Sequence, residues 1–363
     1  MADNIPESLL ESYRHMIASR YTDQLQADAA QRGEVFFYIP SAGHEASAIF
    51  ARHLQPSDWL HLHYRDRALA YARGVSYQTV FDGLFSRSTS NSAGRRMPAF
   101  PCQRDLHILS TPTLVGSNAL QAVGIGHSLL KENDSSLILV SVGDGATQQG
   151  DFYEAVAEAA RANLPVLFLI EDNRYALSTP TERGTFYSLP DGSEATSYYG
   201  IPLRRINGAH AREVDQAAAE TTAAIRNGEG PQILIFNVER LESHTNADDQ
   251  SVYRSASDLE QALKEADPCA ILRSHLLEQH DEEVLTRLEK EVQDELNQAF
   301  QQARNGTTPD AVFDAKKPLL GFLLENETNL KLCQVFYDLF FLLLQSCANN
   351  HLGLFLSSNM FHK

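Results

Sequence analysis

Two side chains that carry oxygen stand at the ends of two apolar runs. Leu137 to Val142 reads LILVSV and passes into Gly143-Asp144-Gly145, and Val166 to Ile170 reads VLFLI and passes into Glu171-Asp172-Asn173-Arg174-Tyr175. A carboxylate and an amide oxygen are hard donors suited to magnesium or calcium, but they are too few to make a full cage. Magnesium commonly keeps water and completes its octahedron with phosphate oxygens of a bound ligand. Asp144 and Asn173 therefore point to a diphosphate-bearing cofactor bridged by magnesium.

For these two residues to meet, the chain between them must turn back. Each apolar run has the length of a buried strand. Between the runs, Phe152, Val156 and Ala159-Ala160 fall on one helical face, with Asp151 and Glu154 in the first turn and Asn163-Leu164-Pro165 closing the helix. A right-handed β-α-β unit makes the strands parallel and close. Both polar ends then lie at the carboxyl edge of the sheet, where open α/β folds bind ligands. Gly143 and Gly145 let the backbone turn sharply there. Two other phosphate motifs do not fit. Thr147-Gln148-Gln149 delays to Gly150 the third glycine that a dinucleotide fingerprint needs, and Asp144 would repel a bare pyrophosphate; the Gly-Lys-Ser/Thr of a P-loop is absent.

The string GDGATQQGDFYEAVAEAA, followed by LPVLFLIEDNRYALST, resembles the thiamine-diphosphate signature of the α subunit of 2-oxo acid dehydrogenase decarboxylase components, the pyruvate and branched-chain enzymes. The similarity runs from about Leu9 to Leu277 through several motifs in order. It implies thiamine diphosphate and magnesium as cofactors. Asp144, Asn173 and Tyr175 are implied as the metal's ligands, and Gly145 and Ala146 as cofactor contacts. The family usually has two asparagines where Asp172-Asn173 stands.

Further matches place other residues. Tyr64-Arg65 resembles the family's pair on the terminal phosphate, for which a guanidinium is chemically apt; the alternative is a surface arginine paired to Asp66. LHILSTPTLVGSNALQAVGIG, from Leu106 to Gly126, resembles the loop and helix under the pyrimidine ring, with Thr113 and Val115 near the cofactor. Gly124 and Gly126 suit close packing against another helix. ERLESHTNADDQSVYRS, from Glu239 to Ser255, resembles the family's phosphorylatable loop. Its His244 is implied as the catalytic and cofactor-binding histidine that aids acyl transfer, a role open to imidazole near neutral pH; a solvated loop histidine is the other reading. Thr245 replaces the usual serine. In FFYIPSAGHE, two readings of His44 stand open: a substrate ligand, or a residue at the start of the helix Glu45 to His53. Arg95 and Arg96, beside Met97-Pro98, either attract an acidic substrate or are solvated.

Strand and helix signals alternate as far as Val238. Leu9 to Leu25 follows helical spacing up to Gly33, Ile201-Pro202 and Arg205 to Gly208 read as a short strand and turn, and Asp215 to Arg226 is an Ala-rich helix. Ser86 to Gly94 is a polar, mobile loop. The expected fold class is α/β, a doubly wound parallel sheet flanked by helices. The resemblance makes it a thiamine-diphosphate-binding fold over residues 1–304, with a linker at 305–317. The tail 318–363 departs from the α family and could open a β half, as in fused bacterial chains.

The net charge of −17 argues against nucleic acid as the main partner. The 4 cysteines show neither metal spacing nor a disulfide framework, no secretory or transit signal is evident at the start, and no apolar stretch reaches a membrane span of roughly 20 residues. The expectation is a cytoplasmic enzyme. The resemblance implies oxidative decarboxylation of a branched-chain 2-oxo acid or pyruvate, with acyl transfer to the lipoyl domain of an acyltransferase core. It also implies a β subunit needed for activity, in a homodimer or an α2β2 heterotetramer. A non-catalytic remnant or assembly chain and an acetoin dehydrogenase α subunit are the alternatives.

Overall fold

The computed structural model describes residues 9–99, 102–182 and 184–309. Residues 310–317 of the expected linker and the whole tail 318–363 lie outside them. The strands are β1 (Trp59–His61), β2 (Ile138–Gly143), β3 (Val166–Asp172), β4 (Tyr175–Ala176), β5 (Thr179–Pro180), β6 (Ser197–Tyr198), β7 (Ile201–Asn207) and β8 (Gln232–Asn237). One sheet runs β1-β2-β3-β8-β7-β6, parallel except for the antiparallel β6 at its edge; β4 and β5 form a separate antiparallel pair.

The α-helices are α1 (Leu9–Gln31), α2 (Arg67–Arg73), α3 (Tyr77–Leu84), α4 (Ser117–Glu132), α5 (Gly150–Ala162), α6 (Ala211–Arg226), α7 (Ala256–Glu265), α8 (Pro268–Leu276) and α9 (Glu282–Arg304). The chain steps β1-α4-β2-α5-β3 in one direction and β7-α6-β8 in the other. Right-handed crossovers then put α4 and α5 on one face and α6 on the opposite face. Alternate strand residues feed the two cores. Leu139, Leu167, Leu169, Leu234 and Phe236 pack with α1, α6 and α9, whereas Val140, Val142, Phe168, Ile170 and Ile235 pack with α4 and α5. Phe300 of α9 meets Phe81 and Phe85 edge-on, with ring centroids 5.3 and 5.1 Å apart.

Several local expectations need correction. Gly126 does pack closely, but against Leu164 and Val166 at the start of β3 and not against a helix; a Cβ there would lie 3.0 Å from Val166 Cγ2, while Gly124 faces open space. β7 is one continuous strand through Arg204 and Arg205, whose guanidinium groups pair with Glu220 and Glu194. The helix Glu45–His53 is of the 3-10 type. The buried face of α1 turns polar after Ile17: Asp23 and Gln26 are buried and bind Arg67. The Ser86–Gly94 loop is fastened to the end of α9, with Arg87 Nε donating to Ala303 O at 2.6 Å and Ser88 N to Thr307 O at 2.9 Å. Cys102 and Cys269, the two described cysteines, are free. Among the described residues no helix is long and apolar enough to cross a membrane.

Candidate active site

The register of β2 on β3 sets Gly143 beside Glu171, so the loops that follow both strands leave the sheet at one point. A cleft of about 450 Å³ opens there. Tyr64, Arg65, Thr113, Val115, Asp144, Gly145, Ala146, Asn173, Tyr175 and His244 all line it, drawn from five separate stretches of sequence. Leu114 and Val115 at its mouth are 74% and 62% exposed.

Asp144 is buried at the start of a 3-10 turn. Its carboxylate accepts from Gly145 N at 2.8 Å and from the Thr181 hydroxyl at 2.5 Å. Burial pushes this carboxyl up to about 7 against the Thr181 bond, with the negative charge of Asp172 adding to the rise. Asp172 itself accepts from Tyr187 OH at 2.6 Å and from Arg174 N at 3.0 Å. The loop after β3 is bent hard: Arg174 and Leu177 take φ values of 67° and 57°. Such values cost energy for residues other than glycine and persist where neighbours fix them. Arg240 does part of that fixing, donating to Leu177 O at 2.9 Å with its guanidinium over the Tyr175 ring.

Across the cleft, Arg65 is 1% exposed. It donates to Pro40 O at 2.5 Å and to both Nδ1 and O of His244, at 2.9 and 3.1 Å. Asp66 is not its partner: that carboxyl receives Ser141 Oγ and the His63 amide. The surface-arginine reading therefore fails. So does the solvated-loop reading of His244, whose amide is held by Asp248 at 2.7 Å. Burial, then the charges of Arg65 and Arg240, push His244 down to about 3. The ring is neutral with Nδ1 accepting, so its proton sits on Nε2.

Of the two readings of His44, the structure bears out a residue at the start of a helix. It begins the 3-10 helix Glu45–His53 without capping it and is fully buried behind the cleft. Nδ1 lies 2.6 Å from Glu171 Oε2, and Nε2 lies 3.3 Å from Asn173 Nδ2. Glu171 Oε2 also meets His63 Nδ1 at 3.1 Å. Burial opposes ionisation of Glu171, but the hydrogen bond from Asp66 and the neighbouring His44 and His63 outweigh it and hold Glu171 low, while burial raises Asp66. Sequence reasoning missed Glu171 and His63. Their signals were an acid ending an apolar strand and a histidine abutting Tyr64. Arg95 is exposed, and half-buried Arg96 lines a second cavity with Tyr64, Arg67 and Met97.

The residues present fit a hard cation and a phosphate group. Among the described residues no cluster of three or more His, Cys, Asp or Glu could form a protein-only metal cage. Among the described residues the buried carboxylate of Asp144 has no cationic partner, and Arg65 keeps a buried Nε without an acceptor. A magnesium ion that brings its own phosphate oxygens suits that donor set.

A doubly wound α/β sheet with a carboxylate and an amide at adjoining strand ends, and a buried arginine facing them, defines a phosphate-cofactor-binding protein of the α/β class. Residues 13–312 match the family described as Dehydrogenase E1 component. The chain belongs to that family, and membership implies thiamine diphosphate. It is 29% identical over 315 residues to the 2-oxoisovalerate dehydrogenase subunit alpha of Bacillus subtilis (strain 168), covering 85% of this chain and 94% of that one. It is 30% identical over 309 residues to the pyruvate dehydrogenase E1 component subunit alpha of the same organism, covering 84% and 80%. The corresponding Staphylococcus aureus (strain Mu50 / ATCC 700699) subunit is 29% identical over 304 residues, covering 82% and 79%.

Proposed function

We propose that this chain is the α part of a 2-oxo acid dehydrogenase that oxidatively decarboxylates a branched-chain 2-oxo acid or pyruvate and passes the acyl unit to a lipoyl group. The observation that carries the reading is the convergence of Asp144, Asn173 and Tyr175 with Tyr64, Arg65 and His244 on one cleft. The relatives' names, 2-oxoisovalerate and pyruvate dehydrogenase, suggest the substrate class. The cofactor-binding domain is residues 1–304, with 305–317 as linker.

In this reading Asp144, Asn173 and the Tyr175 carbonyl hold magnesium, and Arg65, Tyr64 and His244 hold the terminal phosphate. Gly145 and Ala146 line the diphosphate, and Thr113 and Val115 line the ring end. Thiamine diphosphate, when bound, supplies the electron sink for loss of carbon dioxide. The protein's part is to orient and to exclude water. Arg65 fixes His244 through two bonds, so Nε2–H of His244 is aimed as a donor and stays protonated at neutral pH. That proton is available to an oxygen or sulfur that gains charge during acyl transfer.

A β subunit completes the site, and the exposed Leu114 and Val115 at the mouth suit burial against it. The expected assembly is α2β2 in the cytoplasm, serving the lipoyl domain of an acyltransferase core. The test is an assay of electron-acceptor reduction with a family β subunit over branched-chain 2-oxo acids, pyruvate and acetoin, with carbon dioxide release read for the 2-oxo acids. Turnover of a 2-oxo acid supports the reading, and turnover of acetoin alone overturns it.

A further inference from the structure

The amide of Asn173 can offer oxygen to a metal only if its nitrogen is turned away, and the buried layer behind the cleft decides that orientation. Asn173 Oδ1 accepts from Tyr175 N at 3.1 Å. Its Nδ2 therefore lies on the other side, 3.3 Å from His44 Nε2. A carboxylate only accepts, so the 2.6 Å contact to Glu171 requires that His44 carry its proton on Nδ1. Nε2 is then a bare lone pair, and it takes Nδ2–H of Asn173. Reversing the amide would set NH2 against the Tyr175 N–H. Moving the proton to Nε2 would set it against the amide. Each arrangement opposes two donors, the second of them in a buried place.

We propose that His44, locked in the Nδ1–H form by Glu171, is a positioning residue that keeps the oxygen of Asn173 turned toward the metal. This rests on the reading of Asp144, Asn173 and Tyr175 as the metal's protein ligands. His44 comes from a distant turn, Ser41-Ala42-Gly43-His44, that is itself pinned. Ser41 N donates to Asp23 at 2.8 Å and Gly43 N to Glu45 at 2.7 Å, and a Cβ on Gly43 would overlap Glu239 O. The imidazole is thus held from both ends. Groups that support a metal ligand in this way typically change metal affinity about 10- to 100-fold when removed.

The test uses the full chain together with a family β subunit, thiamine diphosphate and Mn2+ as the probe ion, with free Mn2+ read by electron paramagnetic resonance. His44→Gln keeps a donor for Glu171 and an acceptor for the amide; His44→Leu keeps neither. The expected result is a loss of roughly tenfold or more in Mn2+ affinity for His44→Leu, largely restored in His44→Gln. Equal affinity in all three proteins overturns the proposal. Wild-type protein that binds no Mn2+, in the same way as Asp144→Ala, overturns the metal reading itself and this inference with it. If His44→Leu does not fold, 15N–1H correlation on the wild-type protein at pH 7 decides. A proton on Nδ1 and a bare Nε2 of His44 support the proposal, and a proton on Nε2 overturns it.

Discussion

Arg65 and His244 are 179 positions apart in sequence, yet Nη2 of the arginine lies 2.9 Å from Nδ1 of the histidine and 3.1 Å from its carbonyl oxygen. This double contact ties the Tyr64-Arg65 segment after β1 to the Glu239–Ser255 loop and fixes which ring nitrogen of His244 carries the proton. Lysine keeps the charge but lacks the planar fork. Arg65→Lys should therefore weaken cofactor affinity by roughly 10- to 100-fold, the equivalent of about 1.5–3 kcal/mol for a hydrogen bond to a charged group. A titration of thiamine diphosphate into the variant measures this.

His244 also sets a pH dependence. Its folded-state pKa is pushed down to about 3 from an ordinary 6.5. Below about pH 6.5 the unfolded chain takes up a proton that the folded chain refuses, so this group costs stability as pH falls from about 6.5 toward 3 and has no effect above. Thermal unfolding of wild type against His244→Gln should show the variant gaining relative stability on acidification through that window. Proton NMR should show no titration of the His244 ring between pH 5 and 8.

Asp144 has the opposite sign. Its folded carboxyl lies at about 7 against an ordinary 3.8. Between those values the unfolded chain releases a proton that the metal-free folded chain keeps, so stability contributed by this group is present at about pH 4 and lost as pH rises to about 7. Asp144→Asn should remove that slope. Magnesium competes for the ionised form, so its affinity should climb up to about pH 7 and then level off. A pH series of Mg2+ titrations that stayed flat from pH 5 to 8 would contradict this account.

Gly145 offers a test of packing. A Cβ added there would lie 2.6 Å from Ala176 Cβ, so Gly145→Ala forces apart the turn after β2 and the loop after β3. The expected cost is about 1–3 kcal/mol, read by chemical denaturation, and Ala176→Gly in the same chain should recover most of it.

The β-α-β core was legible because its strands are unbroken apolar runs of the right length and the α5 stripe has a helical period. The sequence could place Asp144 and Asn173 together because a single crossover links them. Tyr64, Arg65 and His244 required a resemblance, since nothing local says that residues 179 positions apart will touch. The layer of His44, His63, Asp66 and Glu171 was not legible. His63, Asp66 and Glu171 look like ordinary surface polar residues until the fold buries them, and Glu171 lies more than 100 positions from both His44 and His63. Charge also hid the length of β7. Arg204 and Arg205 interrupt its apolar pattern, and only the fold supplies Glu220 and Glu194 to neutralise them. The polar half of α1 was hidden in the same way, because Arg67 arrives from another helix to satisfy Asp23.

The most direct test of the central claim is calorimetric titration of thiamine diphosphate with Mg2+ into the chain, with and without a family β subunit. The account predicts binding that appears or tightens sharply when the β subunit is added and that is abolished by Asp144→Ala. Absence of binding under both conditions, or binding unchanged by Asp144→Ala, would contradict it.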